Sequence, residues 1–101
     1  MKIVKPARVA QFKARHPTAG PGLEQWLQVA KAATWRRFAD VRLVHRSADE
    51  VRVSSGRKVV VFNIGHGFRL LTAIHYNRLK VFVMRFLTHA EYDKNQWKDQ
   101  L

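Results

Sequence analysis

Lys58-Val59-Val60-Val61-Phe62-Asn63-Ile64, the turn Gly65-His66-Gly67, the run 69–76, the break Asn77-Arg78-Leu79 and the run 80–87 decide the fold. The first run is almost continuously β-branched and apolar, which marks a strand. Glycine accepts positive φ, so Gly65-His66-Gly67 suits a tight hairpin. Three strands joined by such short connections form an antiparallel meander, because a parallel return needs a much longer crossover.

Downstream of the meander, Thr88-His89-Ala90-Glu91 has the pattern of a capping box. The Thr88 hydroxyl can accept the Glu91 N–H while the Glu91 side chain reaches back to Thr88. A helix carrying His89, Tyr92, Asp93, Asn95 and Trp97 is therefore expected where the last strand ends. Upstream, Pro6 suits a first helical turn, and Val9 with Phe12 gives a short helix from Ala7 to Arg15 that stops before His16-Pro17. Residues 17–22 read as a connector. From Leu23, the positions Trp26, Leu27, Ala30 and Ala33 draw one apolar stripe of a second helix ending near Thr34. Residues 35–41 allow a further turn or two, residues 2–4 an opening strand, and residues 51–53 a short strand inside polar loop sequence. No repeat or linker divides the chain. The expectation is one α+β domain over 1–101, with two N-terminal helices on a twisted, mainly antiparallel sheet of about four strands and a short C-terminal helix.

The 101 residues include no cysteine, which excludes a disulfide scaffold, thiol catalysis and a cysteine-ligated zinc. No apolar run approaches the length of a membrane span, and the basic first residues lack the apolar core of a secretory signal, so a cytoplasmic protein is expected. Nineteen Lys and Arg against seven Asp and Glu give a formal charge of +12. The charge is spread widely, from Lys2, Lys5, Arg8, Lys13 and Arg15 through Arg36, Arg37, Arg42 and Arg46 to Arg52, Arg57 and Lys58. Seven acids cannot neutralise it. A polyanion partner is implied, nucleic acid first among them.

Strand alternation puts Arg69, Leu71, Ala73 and His75 on one face and Leu70, Thr72, Ile74 and Tyr76 on the other. The same alternation predicts that Arg85 shares a face with Val81, Val83 and Leu87. Each arginine interrupts an apolar strand, and must reach solvent, an edge or an anion. His89 falls just inside a helix start, where free N–H groups favour an anion and an imidazole can move protons near neutral pH. Tyr92 and Asp93 lie three and four residues on, within reach of the same helix side. The same residues also fit a solvated strand face and an ordinary exposed first turn. His16, His45 and His66 show no zinc-ligand spacing, and Ser47, Ser54 and Ser55 sit in loop sequence without a nucleophile elbow, so neither a metal nor a serine triad is predicted.

Val61-Phe62-Asn63-Ile64-Gly65-His66-Gly67-Phe68-Arg69-Leu70, Ala73-Ile74-His75-Tyr76 and Val83-Met84-Arg85-Phe86-Leu87-Thr88-His89-Ala90-Glu91-Tyr92-Asp93-Lys94 resemble the HigB-type toxins of the RelE superfamily. The resemblance extends upstream through His16-Pro17, Leu23, Trp26, Ala33-Thr34-Trp35 and Ala39-Asp40-Val41. It implies a RelE-like fold and a metal-independent, cofactor-free endoribonuclease that cleaves mRNA, commonly on the translating ribosome. It also implies a cognate helix-turn-helix antitoxin (HigA-like) as partner in a hetero-oligomer, with no membrane role. Carried over to this chain, the catalytic set is His89, Tyr92, Arg69 and Arg85. The substrate-binding set is Lys94, Asp93, His66 and Lys80. Two positions depart from the family pattern: relatives read more like Ile-Lys-Gly-Asn where this chain has Ile64-Gly65-His66-Gly67, and Leu87 replaces a glycine before Thr88-His89. Beside this, the charge alone suits a non-catalytic RNA- or ribosome-binding domain, or a basic face that meets an acidic protein partner.

Overall fold

A computed structural model describes all 101 residues. In chain order the elements are β1 (Lys2–Val4), α1 (Ala7–Arg15), α2 (Gly20–Ala32), α3 (Phe38–Val44), β2 (Asp49–Arg52), β3 (Lys58–Ile64), β4 (Phe68–His75), β5 (Lys80–Thr88), α4 (His89–Asp93) and α5 (Trp97–Gln100). The sheet order is β1-β5-β4-β3-β2, with β1 parallel to β5 and every other pairing antiparallel. The α+β class and the meander match the sequence expectation. The sheet has five strands rather than four, because the short segments at 2–4 and 49–52 both find partners. Residues 35–41 contribute a third helix, shifted to Phe38–Val44. α2 begins at Gly20, three residues earlier than the stripe suggests, since Pro21 fits the first turn where no N–H is needed.

The two faces of the sheet are covered unequally. Leu23, Trp26 and Ala30 of α2, Val9 of α1 and Val41 of α3 pack on Val60, Phe62, Ile64, Leu70, Val81, Val83 and Phe86. The helix and the β3 hairpin approach so closely that a Cβ on Gly22 would stand 3.0 Å from the Ile64 side chain. On the opposite face a smaller cluster of Val53, Val59, Val61 and Leu71 is roofed by Trp97. Toward β5 this second face is more open: Arg69, Arg85 and Leu87 keep part of their surface exposed.

One irregularity corrects the strand alternation. Leu71 pairs with Arg85 but Thr72 pairs with Val83, so Met84 is an extra residue in β5. Arg85 and Leu87 consequently join Arg69 and Leu71 on the open face, while Val81 and Val83 face the helices. The predicted sharing of one face by Arg85, Val81 and Val83 assumed an unbroken period of two, which a bulge resets.

His45 follows α3 with its ring against Phe62 at 5.0 Å and its Nε2 buried without a hydrogen-bond partner. Burial lowers its pKa below the ordinary 6.5. The folded state accepts the neutral ring, and the unfolded chain takes up the proton first on acidification. This contribution is complete above pH 6.5 and is lost as pH falls below it. The urea midpoint is expected to drop between pH ~7.5 and ~5.5, and His45→Gln to remove most of that slope. An unchanged slope in the variant would locate the acid sensitivity elsewhere.

Candidate active site

β5 runs directly into α4, and the capping box forms as the sequence predicts. The Glu91 N–H donates to Thr88 Oγ1 at 3.2 Å, and the Thr88 N–H donates to Glu91 Oε1 at 2.9 Å. The bond from the Thr88 N–H holds the Glu91 carboxyl below its usual pKa. A third bond fixes the junction to the β3–β4 hairpin, from the His89 N–H to the Gly67 carbonyl at 2.7 Å. That turn uses positive φ at Gly65, as expected for glycine. Most first-turn N–H groups are thereby satisfied internally. Together with the five-residue length of α4, this leaves anion attraction to nearby side chains rather than to the helix start.

Replacing Thr88 with alanine removes the hydroxyl that accepts the Glu91 N–H and leaves only the return bond from the backbone N–H of residue 88 to the Glu91 side chain. A loss of about 0.5–2 kcal/mol in unfolding free energy is expected, typical of a lost N-cap. Chemical denaturation checks it, and Thr88→Ser should restore most of the loss.

His89 lies between two charged groups. Its Nδ1 is 3.0 Å from a terminal nitrogen of Arg69, and its Nε2 is 3.0 Å from the Asp93 carboxylate. A guanidinium only donates, so Nδ1 accepts and the ring proton sits on Nε2, directed at Asp93. The order Arg69–His89–Asp93 fixes both ring orientation and tautomer. His89 and Asp93 each keep 57% of their side-chain surface exposed, which leaves the imidazole open to a substrate. Arg69 also lies over the ring of Tyr92, 5.8 Å from its centroid.

Tyr92 is held from behind. Its ring stacks on Trp97 at 5.1 Å, and the Trp97 indole N–H donates to the Tyr92 carbonyl at 3.0 Å. Burial, with Asp49 nearby, raises the phenol above its ordinary pKa against the opposing effect of Arg69. Tyr92 is therefore protonated at neutral pH, a donor rather than a base. Arg85 lies on the same face and its guanidinium donates to the Gln100 side chain. No group of three or more His, Asp or Glu side chains is placed to hold a metal ion.

Of the residues singled out in the sequence, the fold brings together Arg69, His89, Tyr92 and Asp93, with Arg85 on the same sheet face. Lys94 closes α4, exposed beside them. His66 is exposed at the hairpin whose Gly67 holds the His89 N–H. Lys80 stands apart. It pairs with Lys2 and His75 at the far end of β5, about 26 Å from Thr88 at the rise of an extended strand. The expected single C-terminal helix is interrupted: α4 ends at Asp93, Asn95 takes a positive φ of 61°, and Trp97 opens a separate helix. That reversal lays Trp97 under Tyr92.

Several neighbours escaped the sequence reading. Asn63 is exposed and directly opposite Arg69, and a polar residue inside the run 58–64 was its one signal. His16 packs its ring on Phe68 at 5.0 Å and on Phe86 at 5.7 Å, behind the junction. Gln100 reaches Arg85 only because the chain folds back, which no local pattern records.

The fold is the RelE-like α+β arrangement of a class of small toxins. The profile of the HigB_toxin family, described as the RelE-like toxic component of a toxin-antitoxin system, matches residues 19–95. The chain belongs to this family and is a toxin of a toxin-antitoxin system, with an antitoxin as its implied partner. Comparison with curated proteins gives no match. No helix is long and apolar enough to cross a membrane.

Proposed function

We propose that this toxin is a metal-independent endoribonuclease that cleaves mRNA on the translating ribosome in the cytoplasm, and that a HigA-like helix-turn-helix antitoxin holds it in check. The observation that carries this reading is the hydrogen-bonded row Arg69–His89–Asp93 beside a protonated Tyr92.

RNA supplies its own nucleophile, the 2′-hydroxyl. In the free protein the Nδ1 lone pair of His89 is occupied by Arg69. A phosphate that draws Arg69 into a bidentate contact frees that lone pair and brings the 2′-hydroxyl beside it. Nδ1 then takes the 2′-hydroxyl proton as the 2′-oxygen bonds to phosphorus, and the imidazolium formed is stabilised by Asp93. The bond from phosphorus to the 5′-oxygen breaks, and that oxygen takes the Tyr92 proton. The products are a 2′,3′-cyclic phosphate and a 5′-hydroxyl end. Arg69 and Arg85 hold the charge that accumulates on the non-bridging oxygens. Lys94 and His66, both exposed near the junction, contact the RNA strand that enters and leaves.

Primer extension on a reporter mRNA after brief induction tests this. New 5′ ends within the translated region are expected with the wild type and not with His89→Ala, and codon-phased ends would specify the ribosome. Growth arrest without any new ends would replace the nuclease with a non-catalytic ribosome- or RNA-binding domain.

A further inference from the structure

A cavity of about 1100 Å³ lies apart from His89. It opens at the other end of β4 and β5, where the sheet comes apart. Pairing between β3 and β4 ends at Val60 with Thr72, although β3 begins at Lys58 and β4 continues to His75. Lys5, Arg8, Arg36, Arg57 and Lys58 contribute to the walls, and no Asp or Glu does. Lys58 has a distant ion pair with Glu50 at 3.8 Å, and none of the other four is paired with a carboxylate. Arg8 is fixed in place, donating through one terminal nitrogen to the carbonyls of Val83 and Met84 at 3.0 and 3.2 Å. Its remaining N–H groups have no protein acceptor.

Aromatic surface completes the cavity. Phe82 lies 4.8 Å from the His75 ring, on the sheet face that also carries Arg69 and Arg85. Tyr76 also lines the cavity, and its buried hydroxyl has no hydrogen-bond partner. Cations that follow a phosphate chain, with exposed ring faces between them, are the arrangement that binds single-stranded nucleic acid. An acidic polypeptide would use the cations and leave the rings without a role. Six residues of β5 separate Phe82 from Thr88, about 20 Å, the reach of a few extended nucleotides. Arg85 stands on the same face between them.

Resting on the nuclease reading above, we propose that this cavity is a second RNA site, which grips the phosphates and stacks a base of the same strand a few nucleotides from the bond presented to His89. It gives the toxin purchase on a stretch of chain, so that affinity depends on RNA length as well as on the scissile nucleotide.

The probes are 2′-O-methyl RNAs, which lack the nucleophile, of about nine nucleotides and of about three, spanning the site sizes of single-strand binders. Anisotropy with the full chain should give at least tenfold tighter binding of the longer probe. The double variant Lys5→Asn/Arg57→Gln should lose that advantage while binding the short probe as before. Asparagine suits position 5 because Lys5 has a positive φ of 61°. The slope of log affinity on log salt should fall by about 1.4, two released contacts at ~0.7 each. Phe82→Leu, which keeps the apolar bulk without the ring, should weaken the longer probe by about tenfold. A wild type indifferent to length, or a double variant that keeps the advantage, overturns the proposal. Equal competition by polyglutamate also overturns it, in favour of an acidic protein. Failure of the nuclease reading is separate: it shows as a length-dependent binder that never cuts the reporter mRNA, whereas a chain that cuts without length dependence refutes the cavity alone.

Discussion

His89→Ala is expected to lower the rate of mRNA cleavage by about 10²–10⁴-fold, the usual worth of one positioned proton transfer. The side chain is more than half exposed and contributes nothing to either apolar cluster, so the urea midpoint should stay near that of the wild type. Arg69→Ala should give a loss of similar size, because it removes the bidentate contact that seats the phosphate beside His89 and holds the charge that develops on it. Because Arg69 and His89 act as one unit, the double variant should be little worse than either single one. Arg69→Lys retains the charge but not the flat fork of donors, and should recover only a small part of the rate. Single-turnover cleavage of a programmed ribosome measures all four. Full activity in a well-folded His89→Ala chain would remove His89 from the mechanism, and additive losses would separate the two residues.

Trp97→Ala has the second largest expected effect, on stability and on activity together. The indole is 2% exposed and covers Val59, Val61 and Leu71 as well as the back of Tyr92. Truncating a buried tryptophan costs about 3–5 kcal/mol, and the Tyr92 carbonyl also loses its donor. Trp97→Phe keeps the stacked ring without the N–H and should cost about 1–2 kcal/mol, near the value of one hydrogen bond plus lost volume. Chemical denaturation orders the three proteins. If the tyrosine acts from a fixed position, cleavage under folding conditions should follow the same order. Equal activity in Trp97→Ala would mean that Tyr92 needs no support from behind.

What was legible in the sequence was local. The meander could be read because each apolar run is punctuated by residues that turn the chain, and the start of α4 because a capping box is a bond pattern over four residues. His89 and Asp93 could be paired from their i,i+4 spacing alone. What was missed depends on distant neighbours. The opening strand at residues 2–4 was expected from its β-branched pair, but its parallel pairing with the edge of β5 was not, because three residues carry no signal of their partner. The reversal at Asn95 turns on one left-handed residue, and only that reversal places Trp97 beneath Tyr92 and Gln100 beside Arg85. The contact between Arg69 and His89 spans twenty residues of chain. Alternation could put Arg69 on a face, but could not say that the junction helix folds over it.

The extra residue at Met84 divides β5 into two segments of opposite parity. Before it, odd-numbered Val81 and Val83 serve the helical layer. After it, even-numbered Phe86 takes over that duty, and odd-numbered Arg85 and Leu87 turn outward. One strand can thus answer to two masters, with its first half selected for burial and its second for charge, and each can change without inverting the other. Deleting Met84 would force them back into a single frame, with either a guanidinium driven into the apolar layer or two valines expelled from it. The frame of this strand is accordingly less tolerant of a one-residue deletion than of almost any substitution within it.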